Sequence, residues 1–194
     1  MGQLLPKYVE TRPVVQVHYN LPANHMDAIR GNKCEARSLA GVIAAHRFTE
    51  GMKPEHQKRL LESAMFKHFD GDELVFREGE LANRFYLICR GKIALESGGE
   101  GATAPLVQMI GEDEVLGWSW FFPPYYWHFT ARVVEPTDAV FFYGTRLRAQ
   151  CEEDPAFGYD LMKRIAAVVI KRLQFTRAQL LQLQQASNRI SPPH

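Results

Sequence analysis

Hydrophobic and polar positions divide this chain into three stretches with different periods. Leu39, Val42, Ile43 and Ala44 lie at helical spacing and predict a short amphipathic helix. A second helix is predicted over Lys53–Met65, with Pro54 in its first turn and Leu60, Leu61, Ala64 and Met65 apolar along one side. From Phe69 to Phe142 the period shortens. Strand-like runs occur at Glu73–Phe76, Phe85–Cys89, Lys92–Leu95, Leu106–Ile110, Phe129–Val134 and Ala139–Phe142. Short strands separated by glycines predict an antiparallel roll or jelly roll. The segment Gly98–Ala104 reads as a flexible loop.

Helical spacing returns after the strands. Thr145 is placed to cap a short helix ending near Cys151, and Asp154-Pro155 opens a long one, Asp as N-cap and Pro at the first helical position. Carried to about Gln185, that helix is roughly 45 Å long. Met162, Ile165, Ala166, Val169, Leu173, Thr176, Leu180 and Leu183 form one stripe on it, and Leu161, Val168 and Phe175 a neighbouring heptad stripe. One stripe can pack on the roll while the other meets a partner helix, which predicts a homodimer through this helix. The competing reading is a helix buried within its own domain. The expected organisation is an N-terminal extension over 1–37, read as a mobile arm, a β-roll with its leading helices over 38–154, and the long helix over 155–187.

Composition narrows the classes of function. The chain has 194 residues and a formal net charge of +1, so no overall field draws it to nucleic acid or to an acidic membrane. Its three cysteines, Cys34, Cys89 and Cys151, are widely spaced, suggesting neither a zinc ribbon nor a disulfide framework. The N-terminus lacks the pattern of a secretory signal, and the longest aliphatic run, Ile165–Ile170, is far short of the roughly 20 residues that span a bilayer. A soluble, cytoplasmic protein is expected. The seven histidines show no metal-binding spacing, and neither a Gly-x-Ser-x-Gly elbow nor a phosphate loop is present, so an enzyme is not expected.

One segment is more specific. Gly79-Glu80-Leu81-Ala82-Asn83-Arg84-Phe85-Tyr86-Leu87-Ile88-Cys89-Arg90-Gly91 resembles the signature of cyclic-nucleotide-binding domains at every position. Arg172-Leu173-Gln174-Phe175-Thr176 resembles the middle of the long helix of Crp/Fnr-type regulators, where a threonine can contact the nucleotide base. Thr176 matches it, and Arg177 stands where serine often follows. The resemblance covers about residues 38–186 and implies a cyclic-nucleotide-binding β-roll with a long dimerisation helix. Crp-type regulators carry a helix-turn-helix after that helix. Here the sequence stops at Ser191-Pro192-Pro193-His194, so direct sequence-specific DNA binding is not expected.

The resemblance fails in the phosphate-binding cassette. The family reads Phe-Gly-Glu-x-Ala-Leu, then Arg-Ala-Ala, its glutamate accepting from the ribose and its arginine neutralising the cyclic phosphate. This chain keeps Gly117 but has Trp118 at the glutamate position and Trp127 or His128 at the arginine position. Loss of that arginine costs roughly several kcal/mol of binding, and His128, mostly neutral near pH 7, would replace it only in part; Arg132 lies a few residues further along the strand and is the other candidate. Ordinary cAMP binding is therefore not expected.

All three tryptophans, Trp118, Trp120 and Trp127, fall within ten residues, beside Phe121, Phe122, Tyr125, Tyr126 and Phe129. Three readings of this aromatic run are open. The rings fill the pocket as core; they stack on a flat or cationic small molecule; or a cyclic nucleotide is held by backbone N–H groups. The candidate ligand-binding residues are Gly117, Trp118, Ser119, Trp120, Trp127, His128, Phe129, Thr130 and Thr176. The expected function is a ligand-sensing or regulatory domain acting through a protein partner. Its alternatives are a genuine cAMP or cGMP receptor and a ligand-free dimeric scaffold.

Overall fold

The computed structural model describes residues 38–98 and 104–190, with side chains as far as 186. The expected N-terminal arm and most of the expected loop at Gly98–Ala104 lie outside the described residues.

Helix α1 (Leu39–Ala45) is capped by the Ser38 hydroxyl, which accepts from the Gly41 N–H at 3.2 Å. A 3₁₀ turn at Arg47–Thr49 leads to α2 (Pro54–Leu61), with Pro54 in its first turn. Six strands follow: β1 (Ala64–Phe69), β2 (Leu74–Phe76), β3 (Arg84–Glu96), β4 (Leu106–Ile110), β5 (Val115–Leu116) and β6 (Thr130–Tyr143). A second 3₁₀ turn, Trp118–Phe121, leaves β5. Helices α3 (Gly144–Glu153) and α4 (Pro155–Ile190) complete the described chain.

The strands pair antiparallel in the order β1-β6-β3-β4, with β2 added to β6 and β5 to β3. Period-two alternation along the central pair β3–β6 builds two cores. Phe85 and Leu87 of β3, with Val140 and Phe142 of β6, face the helices, where Ile43, Phe48, Leu60, Trp120, Leu147, Phe157, Leu161 and Ile165 cover them. Tyr86, Ile88, Ile93 and Leu95, with Ala131, Val133 and Ala139, face the inside of the roll with Phe69, Val75, Phe76, Leu116 and Trp127. This is the expected β-roll with flanking helices and a long C-terminal helix.

Several boundaries differ from expectation. The strands expected at Phe85–Cys89 and Lys92–Leu95 are one strand, as are those at Phe129–Val134 and Ala139–Phe142. Each pair of runs is joined through a bulge, because Arg90 pairs with Asp138 and Lys92 with Glu135, setting Gly91 against Pro136 and Thr137. Gly91 has φ 93°, and a Cβ there would collide with Thr137. The second helix ends at Leu61 and not at Met65, since Ala64 and Met65 belong to β1, where they pair with Phe142 and Phe141. Thr145 caps nothing: α3 begins at Gly144, whose N–H donates to the Asn83 carbonyl at 2.8 Å.

Asp154 does cap α4, its carboxylate accepting from the Ala156 and Phe157 N–H groups at 3.1 Å each. At 36 residues the helix is about 54 Å long, longer than expected. No helix among the described residues is long and apolar enough to cross a membrane.

Candidate functional site

The turn after β5 decides the shape of the roll interior. Gly117 adopts φ 87° and sits so close to its neighbours that a Cβ would lie 2.7 Å from the Arg84 carbonyl and 3.0 Å from the Trp127 ring. Only glycine lets the chain turn here under that ring. The turn starts the 3₁₀ segment carrying Trp118, Ser119 and Trp120, after which the loop returns through Trp127 to β6.

The return is pinned by backbone bonds. Trp127 N–H donates to the Glu80 carbonyl at 2.9 Å, and Gly79 N–H donates back to the Trp127 carbonyl at 2.9 Å. Thus the signature segment around Gly79 and the aromatic loop hold each other in place. The Trp127 side chain is driven inward to 2% exposure and stacks on Phe76, ring centroids 3.9 Å apart and planes 13° from parallel. Its indole Nε1 is buried without a hydrogen-bond partner among the described residues.

What is left is a cavity of about 20 Å³ between Phe76, Leu95, Leu116, Gly117, Trp118, Ser119, Trp127, His128, Phe129 and Arg172. That volume holds about one water and is more than tenfold below the roughly 300 Å³ at which small-molecule sites begin. Trp127 and Phe76 already occupy each other's faces, so no flat ligand fits between them.

Of the residues expected at the site, Gly117, Trp118, Ser119, Trp127, His128 and Phe129 come together around this cavity. Trp118 is half-buried, tilted 34° against the His128 ring at 6.3 Å and edge-on to Phe122. Three expected residues lie elsewhere. Trp120 is fully buried in the other core, against Phe85 and Phe121, because the 3₁₀ turn rotates it to the helix side of the sheet. Thr130 spends its hydroxyl accepting from the Glu78 N–H at 3.1 Å. Thr176 is exposed on α4, one turn beyond Arg172, which reaches the cavity.

Neither candidate for the missing arginine fills that role. His128 is exposed at the rim. Arg132 lies on the opposite face of β6 from Ala131 and Val133, its Nε 3.5 Å from the Glu96 carboxylate and its Nη1 near the Asp72 carbonyl. Instead, a cation arrives from α4: Arg172 lines the cavity and donates through Nη2 to the Val115 carbonyl. Burial pushes its guanidinium down to about 10, with Glu114 pulling the other way, so it stays charged at neutral pH. Arg172 is a basic helix residue, a type ordinarily solvated. Its place one turn before Thr176, on the same face, was the available signal.

Among the described residues no cluster of three or more His, Cys, Asp or Glu side chains could hold a metal ion. Residues 66–154 match the cyclic nucleotide-binding domain family. The fold of this stretch is that of a cyclic nucleotide-binding domain.

Solved structures of the same fold agree. A protein from Geobacter metallireducens GS-15, described as cyclic nucleotide-binding, is 25% identical, with a TM-score of 0.63 over 71% of this chain and 99% of that one. A cyclic nucleotide-binding domain from Methylobacillus flagellatus KT superposes with a TM-score of 0.63 at 13% identity, over 74% of this chain and 80% of that one. The sensor domain of the transcriptional regulator DNR from Pseudomonas aeruginosa superposes with a TM-score of 0.53 at 19% identity, over 66% of this chain and 91% of that one. The latter two establish the fold alone. No curated protein sequence matches the chain.

Proposed function

We propose that this chain is a non-enzymatic regulatory domain whose cyclic-nucleotide position is closed by aromatic rings, and that it acts as a homodimer through a protein partner. It does not bind cAMP in the usual way. The observation that carries this reading is the Trp127–Phe76 stack at 3.9 Å, which with Trp118 reduces the position to about 20 Å³. Trp118 offers a ring where the family's ribose-binding carboxylate would stand, and the rim residue His128 is exposed. The dimer is supported by the distal part of α4, where Leu173, Phe175, Leu180 and Leu183 are exposed.

Calorimetry of the full chain with cAMP and with cGMP tests the reading. No saturable heat is expected up to millimolar nucleotide. Saturable binding at micromolar or tighter affinity would overturn it in favour of a true nucleotide receptor. Arg172 supports that second reading, since its guanidinium borders the cavity and would meet a phosphate if Trp127 swung off Phe76. In that case Arg172→Gln abolishes the heat.

A further inference from the structure

The roll has a second opening, and it is the larger one. The inner faces of β1, β3 and β6 extend past the part closed by Trp127 and end in a cavity of about 440 Å³. Register explains its walls. Phe141 lies opposite both Met65 and Tyr86, and Arg84 lies opposite Tyr143, so alternate residues of three strands share one face.

The aromatic members form an unbroken ladder. Phe69 meets Tyr86 at 5.7 Å, Tyr86 meets Phe141 at 5.4 Å, and Phe141 meets Tyr143 at 4.7 Å, all tilted or edge-on. Tyr143 at the mouth is 48% exposed, leaving ring surface for a further ring to pack against.

Charge selects the rest of the occupant. Lys67 and Glu73 lie 3.8 Å apart and offset one another, so Arg84 supplies the excess cation of the cavity. Its guanidinium is held at three points, one of them the Tyr86 hydroxyl oxygen, to which it donates. Nε donates to the Asn83 side-chain oxygen at 3.3 Å, and Nη1 donates to the Val75 carbonyl at 3.3 Å. A guanidinium has five donors, so it can still grip a carboxylate while fixed in this way. The volume falls within the roughly 300–1,000 Å³ of small-molecule sites.

We propose that this cavity binds a small aromatic carboxylate, its ring against the Phe141–Tyr143 end of the ladder and its carboxylate on Arg84. The site shares no lining residue with the closed cavity at Trp127, and a nucleotide titration leaves the proposal untouched.

Calorimetry of the full chain with benzoate, 4-hydroxyphenylacetate and indole-3-acetate is the test, with indole-3-acetamide as the neutral counterpart. Saturable heat is expected for at least one carboxylate, with the amide weaker by about tenfold or more. Arg84→Gln should weaken the carboxylate by a similar factor. Tyr143→Ala, at an exposed position that leaves the fold intact, should weaken carboxylate and amide alike. Trp118→Ala should change neither. The proposal is overturned if no carboxylate gives heat up to millimolar concentration, or if the amide binds as well as the acid. It is equally overturned if binding is lost in Trp118→Ala but kept in Tyr143→Ala.

Discussion

The two halves of α4 carry similar apolar residues and treat them in opposite ways. In the first half, Phe157, Leu161 and Ile165 recur every four residues and are fully buried against α2, α3 and the back of the sheet. Polar contacts fix the same half. Asp160 takes a 2.9 Å bond from His56 and a 3.1 Å bond from Arg164, and Arg164 donates to the Phe48 and Glu50 carbonyls at 2.8 Å each. In the second half, Leu173 and Leu183 are 67% and 69% exposed. The contrast shows that hydrophobic periodicity reports a face without saying what covers it. The first half belongs to the fold, and the second is a surface free for the proposed dimer.

Removing apolar bulk from the first half should have the largest effect. Leu161→Ala is expected to cost about 2–5 kcal/mol, since Leu161 is fully buried and the cavity left behind cannot collapse completely. Leu180→Ala, on the exposed half, should change stability by less than about 0.5 kcal/mol. Urea denaturation of both variants at low protein concentration measures the difference. Equal losses would show that the distal half is also part of the chain's own core, and the comparison would fail.

A smaller effect should come from the seat on which the first half rests. His46 caps the 3₁₀ turn whose carbonyls receive Arg164. Its Nδ1 accepts from the Phe48 N–H at 3.1 Å, so its Nε2 carries the proton and donates to the Ile88 carbonyl at 3.3 Å. The ring is therefore neutral in the native state, and burial holds its pKa below the ordinary 6.5, against the pull of Asp113. Below about 6.5 the unfolded chain binds the proton more readily than the folded one. The His46 contribution is complete above that pH and is lost as pH falls towards the lowered native value. Melting temperature should thus drop between pH 7.5 and pH 5.5, and the drop should shrink in His46→Gln, which keeps a donor and an acceptor. The exposed His68 runs the other way, its pKa raised chiefly by its bond to Asp138, so the observed sign identifies the group in control. A melting temperature that rises on acidification would assign control to His68.

How far these features could be read from sequence depends on whether the deciding interaction is local. The thirteen-residue run from Gly79 to Gly91 is self-contained, because its turns and bulky strand residues need no distant partner to be recognised. Strand β1 was missed for the converse reason. Ala64 and Met65 continue a helical spacing equally well, and only pairing with Phe142 and Phe141 makes them strand. The aromatic replacements at Trp118 and Trp127 were visible, yet the depth of closure was not. It depends on Phe76, some fifty residues earlier, meeting Trp127 face to face. Trp120 looked equivalent to its neighbours, and the 3₁₀ turn alone sends it to the other core. Arg172 was hidden by its type, since a basic residue on a helix is ordinarily solvated.

The distal half of α4 gives the smallest expected change in the fold and the sharpest test of what it is for. Leu173 and Leu180 are seven residues apart on one side of the helix, the spacing of a two-helix seam. Placing glutamate at both should leave the far-ultraviolet dichroism nearly unchanged, because both side chains are largely exposed. Like charges facing each other across the seam would prevent association. Light scattering should then fall from twice the 22.2 kDa chain mass to a single mass. A wild-type mass of one chain would remove the dimer from the proposed function at once. A doubly substituted chain that stays paired would instead move the contact off this stripe, leaving Leu173 and Leu180 exposed for another partner.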